Sequence, residues 1–212
     1  MNVTIIGSGN MARGIGDRLV AGGNSVRIID RDPEKAGALA GELRGVDGAK
    51  AEAGSLGDPI EGDIVILAVP YGAVESIAGQ YGSGLAGKVV VDITNPVDWE
   101  SFDRLVTPPD SSAAEEIGNL LPESAVVKAF NTTFAGTLVG GEVDGQPLDV
   151  FVAADDTDAK QTVISLIEAG GLRPIDAGPL RRARQLEALG FLHMTLQQPL
   201  GTGFGSTVKV LG

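Results

Sequence analysis

The segment Gly7–Ala12 carries the residue types and spacing that point most directly to chemistry. It follows an apolar strand pattern and opens a helix pattern, the context in which a G-x-G-x-x-A turn binds a dinucleotide. Gly7 permits the tight turn, Gly9 lets the pyrophosphate approach the backbone, and the free N–H groups of the helix start hold the phosphates. Glycine turns without a ligand also exist. The pattern predicts that the nucleotide is bound by Gly7, Ser8, Gly9, Asn10, Met11 and Ala12.

The residues after the second predicted strand should contact the adenosine ribose, and here they give a mixed signal. Asp30 in that place would accept hydrogen bonds from the ribose hydroxyls, which favours NAD. Arg31 would stack on the adenine and pair with a 2′-phosphate, which favours NADP, and Lys35 and Ser8 could donate to the same phosphate. Alternatively, Arg31 and Lys35 belong to a solvated charged turn. The motif alone leaves both nucleotides open.

Three further loops should meet at the carboxyl edge of the sheet, where open α/β sheets bind ligands. They follow the fourth, fifth and sixth predicted strands and contain no charged residue. Such an apolar, hydroxyl-lined crevice suits a nicotinamide and a second flat ring, and it suits acid/base or metal chemistry poorly. We therefore predict no catalytic side chain and no metal ligand, and we expect cofactor contacts from Ala68, Val69, Pro70, Asn95, Pro96, Asn131 and Thr132.

Strand and helix patterns alternate along the chain and predict the framework for these loops. The strand patterns cover residues 2–6, 25–30, 49–53, 63–69, 88–93, 125–130, 148–154 and 172–176. The helix patterns cover residues 11–21, 33–43, 74–81, 111–121, 157–169 and 179–198. Continuous apolar strands between helices indicate a parallel sheet covered on both faces. The predicted fold is α/β, a Rossmann-type doubly wound parallel sheet with a short C-terminal helical extension: residues 1–178 form the NAD(P)-binding domain, and 179–212 pack on it.

Composition excludes several classes of partner. The chain has 212 residues, with 16 basic and 28 acidic side chains and a formal net charge of −12. Because nucleic acids and anionic membranes require a basic face, neither is an expected partner. The longest apolar run, residues 64–71, is too short to span a bilayer. The absence of cysteine excludes disulfides and thiolate catalysis. We expect a cytoplasmic protein.

Five segments in order resemble the NADPH-dependent reductases of coenzyme F420, the F420:NADP oxidoreductase family. They are the turn at 7–12, Ala68-Val69-Pro70, Asn95-Pro96, residues 127–132 and residues 171–180, of which the last is the most specific. The resemblance covers nearly the whole chain. It implies a Rossmann domain and direct hydride transfer between the deazaflavin C5 and the nicotinamide C4, with NADP and coenzyme F420 as cofactors. Asp30 departs from the small hydroxyl residue of the family pattern, so NAD stays possible here. The nucleotide domain of membrane ferric reductases shares residues 128–132 of this pattern.

Several other residues admit two interpretations. His193 is the only histidine, and its place in an apolar helix favours packing over catalysis. Arg181, Arg182 and Arg184 form a solvated helix start or attract the anionic tail of the deazaflavin. Trp99 contacts a ring or packs its own loop. Exposed apolar positions on the C-terminal helix suggest a homodimer.

Two other functions compete with F420 reduction. One is an NAD(P)H-dependent reductase of flavin or another small acceptor, and the other is a non-catalytic NADP-binding sensor. The 3-hydroxyacid dehydrogenases and imine reductases share the glycine turn, but they append a long helical domain for which this chain is too short.

Overall fold

A computed structural model describes residues 1–211, which form an eight-stranded mixed sheet with helices on both faces and a separate two-stranded antiparallel hairpin. The strands, in chain order, are β1 (Asn2–Ile6), β2 (Ser25–Asp30), β3 (Lys50–Ser55), β4 (Ile64–Leu67), β5 (Val89–Asp92), β6 (Ala125–Lys128), β7 (Glu142–Val143), β8 (Gln146–Pro147), β9 (Asp149–Ala154) and β10 (Arg173–Gly178). The helices are α1 (Asn10–Ala21), α2 (Pro33–Leu43), α3 (Val74–Tyr81), α4 (Ala113–Leu120), α5 (Ala135–Gly140), α6 (Thr157–Ala169), α7 (Ala183–Thr195) and α8 (Gln197–Leu200).

The main sheet has eight strands in the order β10-β9-β6-β5-β4-β1-β2-β3. Strands β1 to β6 are mutually parallel, but β9 pairs antiparallel with β6, and β10 runs parallel to β9. The predicted Rossmann-type fold with a mostly parallel sheet is thus confirmed, and β9 and β10 run opposite to the other strands. Between β6 and β9 the chain forms the short helix α5 and the β7–β8 hairpin, and β9 then pairs with β6 in the opposite direction.

Alternate residues of the central strands enter two separate cores, as expected for a doubly wound sheet. Ile64 and Ile66 belong to the core beneath α1, α2, α5 and α6. Val65 and Leu67 belong to the core beneath α3, α4 and the start of α7. Both faces of β4 are therefore buried, which explains why this strand is a continuous apolar run without alternation.

Most predicted elements begin and end within two residues of the observed ones, and local capping accounts for the accuracy. The carboxylate of Asp32 accepts hydrogen bonds from the backbone N–H groups of Glu34 and Lys35, and Pro33 occupies the first helical position of α2. At α4, the Ser112 hydroxyl caps the helix by accepting from the Glu115 amide, and it donates to the Glu115 carboxylate, so the serine half of a capping box is present.

The single helix predicted for residues 179–198 is wrong in its first turn and at its end. A 3₁₀ turn at Leu180–Arg182 precedes α7, and α8 follows as a separate short helix. Asp155, at the end of β9, accepts a hydrogen bond from the Leu180 amide, so the chain is fixed at the amino end of β6 before α7 begins. From there α7 runs back to the carboxyl edge.

The residues after α8 cross to the start of β9, where Asp149 holds them. Its buried carboxylate accepts hydrogen bonds from the Lys209 ammonium at 2.8 Å and the Val210 amide at 2.8 Å, and it pairs with Arg173. Burial alone would raise the pKa of Asp149, but these donors, Arg173 first among them, lower it to about 2. The carboxylate therefore stays ionised and keeps the tail against the sheet at ordinary pH. No helix of residues 1–211 is long and apolar enough to cross a membrane.

Candidate dinucleotide site

The glycine turn joins the end of β1 to α1, and its first two glycines have different roles. Gly7 has a φ of +108°, and a Cβ there would lie 2.2 Å from the Ala68 carbonyl oxygen. The backbone of β4 therefore excludes every other residue at this position. Gly9 is extended, and no described atom lies within 4 Å of the place its Cβ would occupy. Gly7 is needed by the fold, whereas Gly9 borders open space.

Helix α1 begins at this open space without a cap. Its N-cap residue is Gly9, which has no side chain to accept from the free N–H groups, and no acidic residue occupies the first turn. Twelve residues of helix thus direct unsatisfied N–H groups and the positive end of the helix dipole toward the turn. Such a helix start favours an anion, most simply a phosphate.

A cavity of about 470 Å³ lies over the turn, between the ends of β1, β2 and β4 and the start of α3. Nine of the sixteen predicted site residues line it: Gly7, Ser8, Gly9, Asp30, Arg31, Lys35, Ala68, Val69 and Pro70. The other seven do not: Asn10, Met11, Ala12, Asn95, Pro96, Asn131 and Thr132. Of these, Ala12 is fully buried beneath α1 and Met11 packs against the same core, so they support the turn from below.

The Asp30 side chain is held on both of its oxygens. One accepts from the Ser8 hydroxyl at 2.8 Å, and the other accepts from the Asp32 amide at 2.9 Å. Since a hydroxyl has one hydrogen, Ser8 cannot donate to a phosphate while it donates to Asp30. Lys35 lies 3.3 Å from Asp32, and the Arg31 side chain is exposed at the cavity wall.

A second part of the carboxyl edge is formed by the loops after β5 and β6. The Asn95 amide donates to the Asn131 carbonyl at 2.8 Å, and the Asn131 amide donates back to Asn95 and to the Leu186 carbonyl of α7. A Cβ at Gly190 would lie 2.8 Å from the Asn131 carbonyl oxygen and from Asn95 Oδ1. The backbone of helix α7 thus packs directly against Asn95 and Asn131. The structure brings these two predicted site residues together, but they do not line the cavity at the glycine turn.

Beneath this pair lies a buried ionic cluster that the sequence did not predict. The Lys128 ammonium, with no exposed surface, donates to Asp92 at 2.8 Å, to Glu187 at 2.7 Å and to the Thr94 carbonyl at 2.6 Å. A lysine at the end of an otherwise apolar central strand was the available signal, because such a residue is almost never fully buried unless it is paired.

The structure shows the contacts of His193, Trp99 and Arg184, for each of which the sequence left two interpretations open. His193 is stacked on Phe134 with ring centroids 4.3 Å apart, and its two nitrogens face the Thr132 carbonyl and the Ser206 hydroxyl. Trp99 is 67% exposed and lies 5.7 Å from the Phe102 ring. Arg184 binds the Glu115 carboxylate through two nitrogens at 2.7 and 2.8 Å, so it belongs to the α4–α7 contact.

The surroundings of His193 predict acid-sensitive stability. Burial lowers the pKa of His193, and the Thr132 carbonyl offsets part of that shift. The unfolded chain therefore binds more protons below pH 6.5, and the free energy of unfolding should fall as the pH drops from 6.5 toward the folded-state pKa. Because the chain has one histidine, NMR titration of its imidazole is unambiguous. We expect a midpoint below that of the urea-unfolded protein, and a weaker pH dependence of stability in His193→Gln. A midpoint at or above the unfolded value would contradict the assignment.

The strand order and the glycine turn at the β1–β4 switch point are those of a dinucleotide-binding fold. A sequence profile described as NADP oxidoreductase coenzyme F420-dependent matches residues 2–96. The chain is 35% identical over 202 residues to the F420-dependent NADP reductase of Methanocaldococcus jannaschii, and the match covers 89% of each protein. The chain belongs to the family of F420-dependent NADP reductases and is an NADP-dependent oxidoreductase by class.

Two further comparisons bear on the same assignment. A candidate F420-dependent NADP-reductase from Arthrobacter sp. FB24, known from its crystal structure, superimposes with a TM-score of 0.86 at 27% identity and covers 99% of both chains. The metalloreductase STEAP3 of Rattus norvegicus is 36% identical over 187 residues. That match covers 88% of this chain and 36% of the rat protein, so the chain spans about a third of that relative's length.

Proposed function

We propose that the protein transfers a hydride directly between NADP(H) and the deazaflavin coenzyme F420. The observation that carries the proposal is the open start of α1 at Gly9, which borders the cavity, has no side-chain cap and has no atom within 4 Å of the position that a Cβ would take. The similarity to F420-dependent NADP reductases over 89% of their length supports the choice of both cofactors.

The residues at the turn fit a dinucleotide. Gly9 leaves room for a pyrophosphate, the first N–H groups of α1 point to it, and Arg31 and Lys35 provide positive charge at the adenosine end. A dinucleotide extended across the β1–β4 switch point has its other half near the loops after β5 and β6. There we propose that Asn95, Pro96, Asn131 and Thr132 line the nicotinamide end.

The chain's own contribution to the reaction is to bind, orient and exclude water. The nicotinamide and the deazaflavin would supply the hydride chemistry when they are bound, so no side chain needs to act as a nucleophile, and the proton that the deazaflavin takes up with the hydride can come from solvent. Ring stacking at reaction distance lowers the barrier by fixing two reactants in one geometry. The uncharged surface of the half-buried Val69 at the cavity wall suits such a contact.

The assay that tests the proposal mixes the purified protein with NADPH and oxidised F420. We expect stoichiometric loss of the deazaflavin absorbance, and stereospecific transfer of deuterium from labelled NADPH to F420. Binding of NADPH without turnover would favour the alternative of an NADP-binding sensor and would contradict the enzymatic assignment to F420.

A second candidate is reduction of a flavin or another small acceptor, and the 36% identity to a protein named metalloreductase STEAP3 supports an acceptor other than F420. The same assay with FMN, FAD and riboflavin in place of F420 separates the two acceptors. We expect kcat/KM for F420 to exceed that for each flavin, and a higher value for a flavin would replace the first proposal by the second.

We further propose that residues 179–212 act as one unit with residues 1–178, because α7 forms part of the carboxyl-edge contacts around Asn131. We also propose a homodimer. The exposed side chains of Leu192, Leu196 and Leu200 lie along α7 and α8, where a second copy would cover them. The cytoplasmic location stays a prediction.

A further inference from the structure

The buried cluster around Lys128 joins four elements at one point. Lys128 ends β6, Asp92 ends β5, and Glu187 lies in the middle of α7. Glu187 also accepts hydrogen bonds from the Ala113 and Ala114 amides at 3.0 and 3.3 Å, so it occupies the start of α4 as well. Each of the three ammonium hydrogens of Lys128 has an acceptor. The Glu187 carboxylate interacts both with this cation and with the free N–H groups at the start of α4.

The charges in this cluster are fully removed from water, which is costly unless every partner stays in place. Side-chain exposure is 0% for Lys128 and Asp92 and 1% for Glu187. Burial raises the pKa of Glu187, although the Lys128 ammonium acts in the opposite direction. Apolar residues of similar volume could fill such a site without this penalty, so stability alone does not account for an ionic cluster. The hydrogen bonds of the Lys128 ammonium to three partners do, however, fix the positions of these partners relative to one another.

The cluster lies directly under the asparagine pair at the carboxyl edge. Leu186 and Gly190, which flank Glu187 on α7, are the residues whose backbone meets Asn131 and Asn95. Thr94, whose carbonyl accepts from Lys128, immediately precedes Asn95. The three ionic groups therefore fix the height and register of α7 against the two loops. None of the residues in the cluster lines the cavity at the glycine turn.

We propose that Lys128 and Glu187 are positioning residues for the hydride acceptor. They set α7 and the Asn95–Asn131 pair in the arrangement that orients the acceptor ring, while the glycine turn binds the nucleotide independently. The proposal rests on the proposed function for the identity of the acceptor but not for the mechanical link between the cluster and the carboxyl edge. It predicts that a change in the cluster lowers kcat/KM for the acceptor and leaves the NADPH dissociation constant nearly unchanged.

The test compares Glu187→Gln with Glu115→Gln in the full-length protein. Glu187→Gln keeps the shape and an acceptor oxygen but removes the buried charge. Glu115→Gln weakens the ion pair with Arg184, which joins the same two helices at the partly exposed periphery, and it is the matched control. The measurements are the NADPH dissociation constant, KM and kcat for NADPH and F420, and amide hydrogen exchange of peptides covering residues 7–12, 130–134 and 186–193.

For Glu187→Gln we expect kcat/KM for the acceptor to fall by about tenfold or more, because small misplacements of a reacting ring have large kinetic effects. Exchange at 130–134 and 186–193 should accelerate while the 7–12 peptide and the NADPH dissociation constant stay within about twofold of the unmodified protein. Glu115→Gln should leave all of these values within about twofold. Equal losses for NADPH and the acceptor, or unchanged exchange at 130–134 and 186–193, would overturn the proposal.

A second variant avoids the risk that a buried-charge change prevents folding. Gly190→Ala leaves all three ionic groups intact and places a methyl group 2.8 Å from the Asn131 carbonyl, so α7 must move away from the pair. The same selective loss toward the acceptor is expected, and an unchanged acceptor kcat/KM in a variant with displaced α7 would overturn the proposal. If the unmodified protein does not reduce F420, the proposed function is wrong. The exchange measurements would still test whether the Lys128 cluster holds α7 and the Asn95–Asn131 loops in place.

Discussion

Gly9→Val lowers the affinity for NADPH at least about tenfold, about 1.4 kcal/mol of binding free energy, and leaves the fold intact. The valine side chain enters the space above the start of α1, where no described atom lies within 4 Å of the position that a Cβ would take. The backbone there has φ −76° and ψ −175°, an extended conformation that valine adopts readily. Titration of NADPH by fluorescence, with circular dichroism and thermal unfolding, measures both halves of this expectation.

Two glycine variants serve as controls for this result. Gly79→Val changes an exposed helical glycine that also has no atom within 4 Å and lies outside the cavity, so NADPH affinity should not change. Gly7→Ala forces a Cβ to within 2.2 Å of the Ala68 carbonyl, so the turn and the fold should both be destabilised. Undiminished NADPH binding by folded Gly9→Val would contradict the assignment of the phosphate site to this turn.

The part of the site that depends on local sequence was predictable. Gly7 and Gly9 lie between an apolar strand and a helix, and the spacing alone placed the turn at the switch point of the sheet. Asp32 and Pro33 similarly defined the start of α2, because a capping side chain and a proline act within a few residues. These features need no knowledge of the rest of the chain.

Features that depend on distant contacts were not predictable. The reversal of β9 has no signal in its own apolar sequence, and only its pairing with β6 shows it. The Asp144-Gly145 turn between β7 and β8 is an exception, because Asp-Gly is a local hairpin signal that the sequence offered and the prediction did not use; both residues have positive φ, 52° and 71°. The partners of Lys128 are 36 and 59 residues away in sequence, so only the tertiary structure shows them.

The nucleotide preference turns on three side chains at the adenosine end of the cavity. Asp30 carries a negative charge that would repel a 2′-phosphate, and its two hydrogen bonds keep it in place at the wall. Arg31 is exposed beside it, and its planar guanidinium can bind a phosphate through two nitrogens. Lys35 adds a positive charge that Asp32 partly engages at 3.3 Å. Because Asp32 shares the charge of Lys35, we assign the preference to Arg31, and we expect NADPH to be preferred over NADH.

Arg31→Ala should therefore weaken NADPH binding by about tenfold while NADH binding stays within about twofold, because only NADPH carries the phosphate that Arg31 would hold. Asp30→Asn removes the repelling charge and keeps an oxygen for the Asp32 amide, so the preference for NADPH should increase; Asp30→Ser should act in the same direction with a weaker turn. Dissociation constants and kcat/KM for both nucleotides, measured in all three variants and the unmodified protein, test these expectations. If the unmodified protein uses NADH with the higher kcat/KM, the preference for NADP is wrong. Asp30 would then bind the ribose hydroxyls, and Asp30→Asn should reduce NADH affinity instead of improving NADPH selectivity.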